Sequence, residues 1–310
     1  MREHAVSVHA RKQDPTDRQV DTLDDIVFFM FQDPDDKPPP GFLNKLIHYA
    51  VLYGQPSPAM AHVELYVPSV FVGAHGYRTP HFATYIGEHA DWWKPDGFYR
   101  SHIGKFRAVP FVSKGIGRSC ARVCQHCINT PYSISRYLTS GPFSIFAKFL
   151  SEKLRSPAHC GVLVTRIIKA ATCRDANSIF PEQPSTYSPS RVYLDATDFV
   201  HSRGIGLGKD FDQDIAVAAI RVLRNGSDAE VLGMDTKSIA LAIRGMAAAV
   251  YTTPHAHKQQ AESDLAAALI RLSYTRHDAC LGLDAADEVA AETSSDSSVD
   301  MSVQLLANTQ

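Results

Sequence analysis

Apolar and polar residues follow each other in the first third of the chain in a pattern that predicts β-strands. Residues 25–31 form a nearly continuous apolar run, which is typical of a buried strand. Strands are predicted at 25–31, 61–67, 69–73, 82–86 and 105–112. Apolar residues also recur at helical spacing over 42–53, so a short helix is predicted between the first two strands.

The remainder of the chain shows mainly helical spacing. Helices are predicted at 119–138 with an interruption at Pro131, at 143–154, from Cys160 onwards, and at 212–224, 235–251 and 258–274. Residues 172–195 are rich in Pro, Ser and Asn, which predicts a long loop. The combination of strands and helices indicates an α+β protein.

Composition divides the chain into four predicted parts. Residues 1–20 are polar and are predicted to be a flexible arm, and residues 21–200 to be the main domain. Residues 201–282 contain Ala- and Ile-rich helices and are predicted to be a helical appendage. Residues 283–310 are acidic and Ser-rich, so a disordered tail is predicted there.

The overall composition excludes several classes of protein. The chain has 310 residues, 45% of them hydrophobic, which is enough for a large core. Its 31 basic and 33 acidic residues give a net charge of -2, so no nucleic-acid partner is expected. No apolar leader or stretch of membrane-spanning length is visible, and six cysteines are too few for a disulfide scaffold. We expect a soluble intracellular protein with reduced thiols.

Two ionisable residues interrupt the apolar strand predicted at 61–67. His62 and Glu64 are two positions apart, so on a strand they project from the same face. A histidine and a carboxylate in this arrangement can act as a base and the group that orients it. The other interpretation is that this face is solvated, or that His62 is a hydrogen-bonded histidine at the edge of the core.

Cys160 stands at the start of a predicted helix, shortly after Pro157. A helix N-terminus favours the thiolate and can lower the pKa of a cysteine below the usual value of about 8.5. Backbone N–H groups of the same turn can also hold an oxyanion. Cys160 is therefore a candidate nucleophile, although a small apolar residue packed at a helix start would have the same sequence context.

The order of these elements resembles that of a known superfamily. The residues that carry the resemblance are Asp24–Phe28, Ala61–Tyr66, Phe106–Pro110, Pro131–Tyr132 and His159–Val164. Over about residues 22–172 the chain resembles the circularly permuted branch of the NlpC-type papain-like superfamily, in which the histidine strand precedes the cysteine helix. This branch has bacterial, eukaryotic and large DNA virus members, including poxviruses, and its relatives include permuted peptidases and lipid acyltransferases. The resemblance implies an antiparallel sheet packed on helices, and it adds a host cytoplasm or a virion to the expected locations.

The resemblance also implies roles for individual residues. Cys160 corresponds to the nucleophile and His62 to its general base, while the third, orienting residue is Glu64 or, on the next strand, His81 or Thr84. His159 departs from the pattern, because Asn, Ser or an aromatic residue is expected before the cysteine. The implied activity is that of a cysteine peptidase, amidase or acyltransferase acting on an amide or ester bond of a peptide, protein or lipid. It requires no metal or organic cofactor.

Two other functions are compatible with this sequence. A papain-like scaffold can serve as a catalytically silent binding or structural module of a larger assembly, with the C-terminal helices as its protein-binding surface. A zinc-dependent deaminase is a further alternative, because His62-Val63-Glu64 and Cys124-Gln125-His126-Cys127 are similar to its H-x-E and C-x-x-C motifs. Cys120, Cys124 and Cys127 also have the spacing of one helix stripe, which favours core packing over metal binding.

Overall fold

The computed structural model describes residues 18–20, 22–35, 41–42, 45, 49, 53, 56–72, 81–83, 89–92, 101–133, 157–172, 179–201 and 204–276. Three predicted features lie outside these residues: most of the N-terminal arm, the helix at 143–154 and the acidic tail at 283–310. Of the helix predicted at 42–53, the described residues Phe42, Lys45, Tyr49 and Tyr53 are helical.

An antiparallel sheet forms the centre of the fold. The strands are β1 (Arg18–Val20), β2 (Ile26–Gln32), β3 (His62–Tyr66), β4 (His81–Ala83), β5 (Asp91–Trp92), β6 (Phe106–Val112) and β7 (Ile205–Leu207). Five of them form one sheet in the order β5-β4-β3-β2-β6, and every neighbouring pair is antiparallel. The strands predicted at 25–31, 61–67 and 105–112 correspond to β2, β3 and β6.

Helices lie on both sides of this sheet. The helices are α1 (Pro68–Val72), α2 (Ile116–Cys127), α3 (Cys160–Thr172), α4 (Pro189–His201), α5 (Gln213–Asn225), α6 (Asp228–Leu232), α7 (Thr236–Thr252) and α8 (255–276). Single helical turns cover Leu23–Asp25, Ile103–Lys105 and Pro184–Thr186. The predicted α+β class is confirmed, whereas the permuted papain-like relationship stays a prediction.

The sheet separates two apolar cores because β2 is buried on both faces. Phe29 and Phe31 pack in one core with residues of β3, α2, α3 and α4. Phe28 and Met30 pack in the other core with residues of β6, α5, α7 and α8. The alternation of side chains along one strand thus places helices from two parts of the chain on opposite faces.

The C-terminal helices, predicted to be a helical appendage at 201–282, pack against the sheet. The Tyr251 hydroxyl on α7 donates a hydrogen bond to the carbonyl oxygen of Pro110 on β6 at 3.2 Å. The Ser273 hydroxyl on α8 bonds the Tyr66 hydroxyl on β3 at 3.3 Å. These helices therefore cover the second face of the sheet.

The N-terminal arm predicted for residues 1–20 ends in a strand. β1 pairs in parallel with β7, with Arg18 opposite Ile205 and Val20 opposite Leu207. Val20 is buried in the same core as α7 and α8. Residues 18–20 thus belong to the folded part of the chain.

Two predicted elements are wrong, and in both cases a proline begins a helix. Residues 69–73 were expected to form a strand, but α1 begins at Pro68. The loop expected over 172–195 contains the first turns of α4, which begins at Pro189. Proline is favoured in a first helical turn because its missing N–H has no partner there in any case. The Ser188 hydroxyl supports the second start by accepting a hydrogen bond from the Arg191 N–H at 3.3 Å.

Candidate active site

Cys160 is the first residue of α3, and the backbone before it is held by a second segment of chain. The Ala158 N–H donates to the Pro131 carbonyl oxygen at 3.1 Å, and the Ser133 N–H donates to the Ala158 carbonyl oxygen at 2.9 Å. The segment after α2 that contains Pro131 therefore fixes the direction from which the chain enters α3. The Cys160 side chain ends up 2% exposed.

Gly161 allows the first turn of α3 to approach the segment before α4 closely. A Cβ atom at this position would lie 2.5 Å from the Tyr187 carbonyl oxygen and 3.1 Å from the Pro189 nitrogen. Both of these are backbone atoms, which cannot move aside as a side chain can. The absence of a side chain at 161 thus sets the position of the neighbouring Cys160.

His62 is the first residue of β3, and its backbone position is fixed on both sides. It pairs with Gln32 of β2, and the preceding Ala61 N–H donates to the Gln32 carbonyl oxygen at 2.8 Å. One residue earlier, the Met60 N–H donates to the buried Ser190 hydroxyl of α4 at 2.8 Å. The imidazole of His62 is 15% exposed.

Glu64 lies beside His62, as the two-residue spacing on a strand predicts. The distance from His62 Nε2 to Glu64 Oε1 is 3.2 Å, and the Glu64 side chain is 1% exposed. A carboxylate is buried this deeply only when its charge is compensated. His62 supplies that compensation when its imidazole is protonated.

Cys160 and His62 share a hydrogen bond and act on each other's ionisation. Burial alone would raise the pKa of the Cys160 thiol, but the charge of His62 and hydrogen bonds from His159 and His62 lower it from 9.0 to about 5. Burial alone would lower the pKa of His62, but the charge of Cys160, a hydrogen bond to it and the Glu64 carboxylate raise it from 6.5 to about 10. Both shifts favour a thiolate–imidazolium pair at neutral pH.

The cysteines of α2 have the opposite character. Cys120, Cys124 and Cys127 are buried in the core between α2, α3 and the sheet, as their helical spacing predicts. Burial raises the pKa of Cys120 and of Cys124 above the ordinary value of 9.0. These thiols are therefore neutral packing groups, and they provide a comparison for Cys160 within the same molecule.

The zinc hypotheses find little support in this geometry. Within the described part of the chain, no three side chains of His, Cys, Asp or Glu are grouped so that they could hold a metal ion. His126, between two of the α2 cysteines, is exposed, and its Nδ1 lies 2.8 Å from the Arg122 carbonyl oxygen. His62 and Glu64 stand on a strand, whereas the deaminase motif begins a helix.

The three residues predicted to form the site, Cys160, His62 and Glu64, lie together. The two other candidates for the orienting residue are His81 and Thr84. His81 lies on β4 and pairs with Tyr66, which is at the opposite end of β3 from His62. A separation of four strand residues corresponds to roughly 13 Å along the backbone. Thr84 lies outside the described residues. The geometry therefore favours Glu64.

Sequence reasoning missed the contribution of two residues next to the nucleophile. His159 is fully buried directly before Cys160 and lowers the pKa of its thiol, and Gly161 sets the close approach to the segment before α4. Their adjacency to Cys160 was the available signal, but neither contact follows from local spacing.

Comparisons with known proteins add no further constraint: no protein-family model, curated protein or solved structure matches this chain. Among the helices that the structure describes, none is both long enough and apolar enough to cross a membrane. The chemistry of the site must be inferred from its own geometry.

Proposed function

We propose that this protein is a thiol-dependent acyl-transfer enzyme, a cysteine hydrolase or acyltransferase that acts on an amide or ester bond, built on a permuted papain-like core. The observation that carries the proposal is the contact of Cys160 with His62, which is in turn paired with the buried Glu64 at 3.2 Å. Nucleophile, base and orienting carboxylate are the three parts that this chemistry needs.

The first half of the proposed reaction forms a thioester. The Cys160 thiolate attacks the carbonyl carbon of the substrate, and a C–S bond forms while the carbonyl oxygen takes up the negative charge. In the proposed reaction the backbone N–H groups at the start of α3 hold that oxyanion, because the first turn of a helix lacks intrahelical acceptors. When the carbonyl re-forms, the bond to the leaving amine or alcohol breaks and the His62 imidazolium supplies its proton.

The second half returns the enzyme to its starting state. Neutral His62 removes a proton from water or from another hydroxyl or amino acceptor, which attacks the thioester carbonyl. The C–S bond breaks, the thiolate of Cys160 leaves, and His62 is again an imidazolium. The acceptor decides whether the net reaction is hydrolysis or acyl transfer.

Glu64 is proposed to keep the imidazole oriented and charged in the resting state. Its carboxylate contacts one ring nitrogen of His62 and is itself withdrawn from water at 1% exposure. In such surroundings an ion pair is stronger than at the surface, since the local dielectric constant is lower. Because it is paired with His62, the Glu64 carboxylate can serve the reaction although it is buried.

An activated ester tests the proposal without knowledge of the natural substrate. The protein is incubated with p-nitrophenyl acetate, release of p-nitrophenol is followed, and the acetylated residue is located by peptide mass spectrometry. For the wild type we expect a rapid initial release of p-nitrophenol together with acetylation of Cys160. Cys160→Ala should show no such release, and the matched control Cys124→Ala should release p-nitrophenol at the wild-type level. Acetylation elsewhere, or equal release from Cys160→Ala, would contradict the proposal and favour a binding module.

A further inference from the structure

Residues 187–190, which lead into α4 and begin it, lie against the helix of the proposed nucleophile. A Cβ atom at Gly161 would stand 2.5 Å from the Tyr187 carbonyl oxygen and 3.0 Å from the Ser188 carbonyl carbon. Both are backbone atoms, so they yield little to a neighbour. The backbone of the 187–190 segment therefore sets how closely the first turn of α3, with Cys160, can approach it.

The same segment binds the backbone that leads to the proposed base. The Met60 N–H donates to the Ser190 hydroxyl at 2.8 Å, and both residues are 0% exposed. The two are 130 positions apart in the chain, and Met60 stands two residues before His62. The next N–H, that of Ala61, donates to the carbonyl oxygen of Gln32 at 2.8 Å. Consecutive N–H groups at the entry to β3 are thus held by α4 and by β2.

The 187–190 segment is itself anchored in the core. Tyr187 is 0% exposed, and its ring meets the ring of Phe180 edge to face at 5.2 Å between centroids. Phe180 in turn packs on Phe29 of β2 at 5.8 Å. The Tyr187 hydroxyl donates to the Asp195 carboxylate of α4 at 3.1 Å. A segment packed and hydrogen-bonded in this way can serve as a fixed reference for its neighbours.

We propose that residues 187–190 are a positioning platform that holds the Cys160 helix and the His62 strand in register, and that Ser190 is the positioning residue for His62. The inference rests on the proposed function, since it takes Cys160 and His62 as the reacting pair. In this role Ser190 acts through the backbone of Met60. The platform accounts for how the first residue of β3 comes to face the first residue of α3.

The short distance along the chain makes His62 sensitive to the Ser190 contact. An extended chain spans about 3.3 Å per residue, so a shift of Met60 is carried over two residues directly to His62. A misplacement of about 1 Å between reacting groups can lower a rate on the order of 10²-fold. Because Ala61 remains bonded to Gln32 when the Ser190 hydroxyl is removed, we expect a smaller displacement and a loss of about tenfold.

The test combines iodoacetamide labelling of Cys160 across pH 5–9, read by peptide mass spectrometry, with turnover of p-nitrophenyl acetate. Ser190→Ala deletes the acceptor of the Met60 N–H, whereas Ser190→Thr keeps a hydroxyl at the same position. We expect Ser190→Ala to lower the labelling rate at pH 6 and the ester turnover about tenfold each. The apparent pKa of Cys160 should rise, because a displaced His62 stabilises the thiolate less. Ser190→Thr should recover most of both rates.

Tyr193→Phe is the matched control on the same helix. Tyr193 stands one turn after Ser190, and its hydroxyl donates to the Glu262 carboxylate of α8 at 2.7 Å. The change removes a buried hydrogen bond of α4 while leaving the contact with Met60 in place. We expect Tyr193→Phe to keep the wild-type pH profile of Cys160 and the wild-type ester turnover. Equal shifts of the profile in Tyr193→Phe and Ser190→Ala would trace the effect to a weakened α4 and overturn the inference.

Amide hydrogen exchange of the wild type, followed by NMR, is a second measurement that does not depend on the folding of any variant. We expect the Met60 amide to exchange as slowly as the Ala61 amide, whose acceptor is the Gln32 carbonyl oxygen. A Met60 amide that exchanged at the rate of an exposed amide would overturn the inference.

The two proposals fail in distinguishable ways. A fast-reacting Cys160 whose pH profile is unchanged by Ser190→Ala would overturn the positioning platform and leave the proposed function standing. A wild-type Cys160 that reacts no faster than Cys124 would contradict the proposed function itself, and the inference with it.

Discussion

Replacing Gly161 by alanine tests how the fold positions the nucleophile. The new Cβ would lie 2.5 Å from the Tyr187 carbonyl oxygen, whereas ordinary van der Waals contact begins near 3.4 Å, so the two segments must separate by about 0.9 Å. Forcing an extra methyl group into a packed site lowers the free energy of unfolding by about 1–3 kcal/mol. Because Cys160 precedes Gly161 directly, a shift of this size also displaces its sulfur from His62, and a misplacement of about 1 Å can lower a rate on the order of 10²-fold.

The assay combines p-nitrophenol release from p-nitrophenyl acetate with urea denaturation. Gly233→Ala is the matched control, since a Cβ at that position meets its nearest atom, the Ala229 carbonyl oxygen, at 3.5 Å. The backbone of Gly233 is right-handed helical, with φ -72° and ψ -9°, so alanine fits there. We expect Gly233→Ala to keep wild-type activity and stability. A Gly161→Ala protein that matched the wild type in both assays would refute the argument that this glycine sets the site.

Three further outcomes are expected. Cys124→Ala removes a fully buried sulfur from the α2 core and should lower the free energy of unfolding in urea by about 1–2 kcal/mol while ester turnover stays at the wild-type level. Tyr193→Phe deletes the hydroxyl that donates a hydrogen bond to the buried Glu262 carboxylate at 2.7 Å. It should lower the free energy of unfolding in urea by about 1–3 kcal/mol, and an unchanged urea midpoint would contradict this. The Cys160–His62 pair should make the free energy of unfolding depend on pH. The contribution of Cys160 is lost as pH falls through about 5, and that of His62 is lost as pH rises through about 10. Between pH 6.5 and 9.0 the two contributions change with pH in opposite directions and cancel. Cys160→Ser should lack this dependence in urea denaturation measured across the same range.

Two parts of the site could be predicted from local sequence, because each depends on a short-range rule. Side chains two positions apart share a strand face, which brings Glu64 beside His62. The apolar spacing after Pro157 places Cys160 at a helix start, where the structure has it. That the first residue of β3 meets the first residue of α3 is a long-range contact, and the expectation of it came from resemblance.

The helices that begin with proline show where pattern reasoning fails. A proline marks both the end of one element and the favoured first turn of the next helix, so Pro68 and Pro189 have two interpretations in sequence. The side chain that resolves the second case is Ser188, which accepts the Arg191 N–H. A capping residue such as Ser188 predicts a helix start only when it is considered together with the proline that follows it.

The second core illustrates a different limit. The apolar run in β2 indicates a buried strand, and Phe28 and Phe29 are indeed buried on opposite faces. Local sequence does not specify which helices pack against each face of β2. The helices predicted as an appendage contain apolar stripes, but their packing against Phe28 depends on tertiary contacts far apart in the chain.

The proposed chemistry depends above all on the ionisation of Cys160. Iodoacetamide labelling of each cysteine across pH 5–9, read by peptide mass spectrometry, compares Cys160 with Cys120 and Cys124 in one sample. We expect fast, selective labelling of Cys160 with an apparent pKa well below about 8.5 that rises in His62→Ala, while the α2 cysteines react slowly throughout. Uniformly slow labelling, or a Cys160 profile that His62→Ala leaves unchanged, would contradict the thiolate–imidazolium pair.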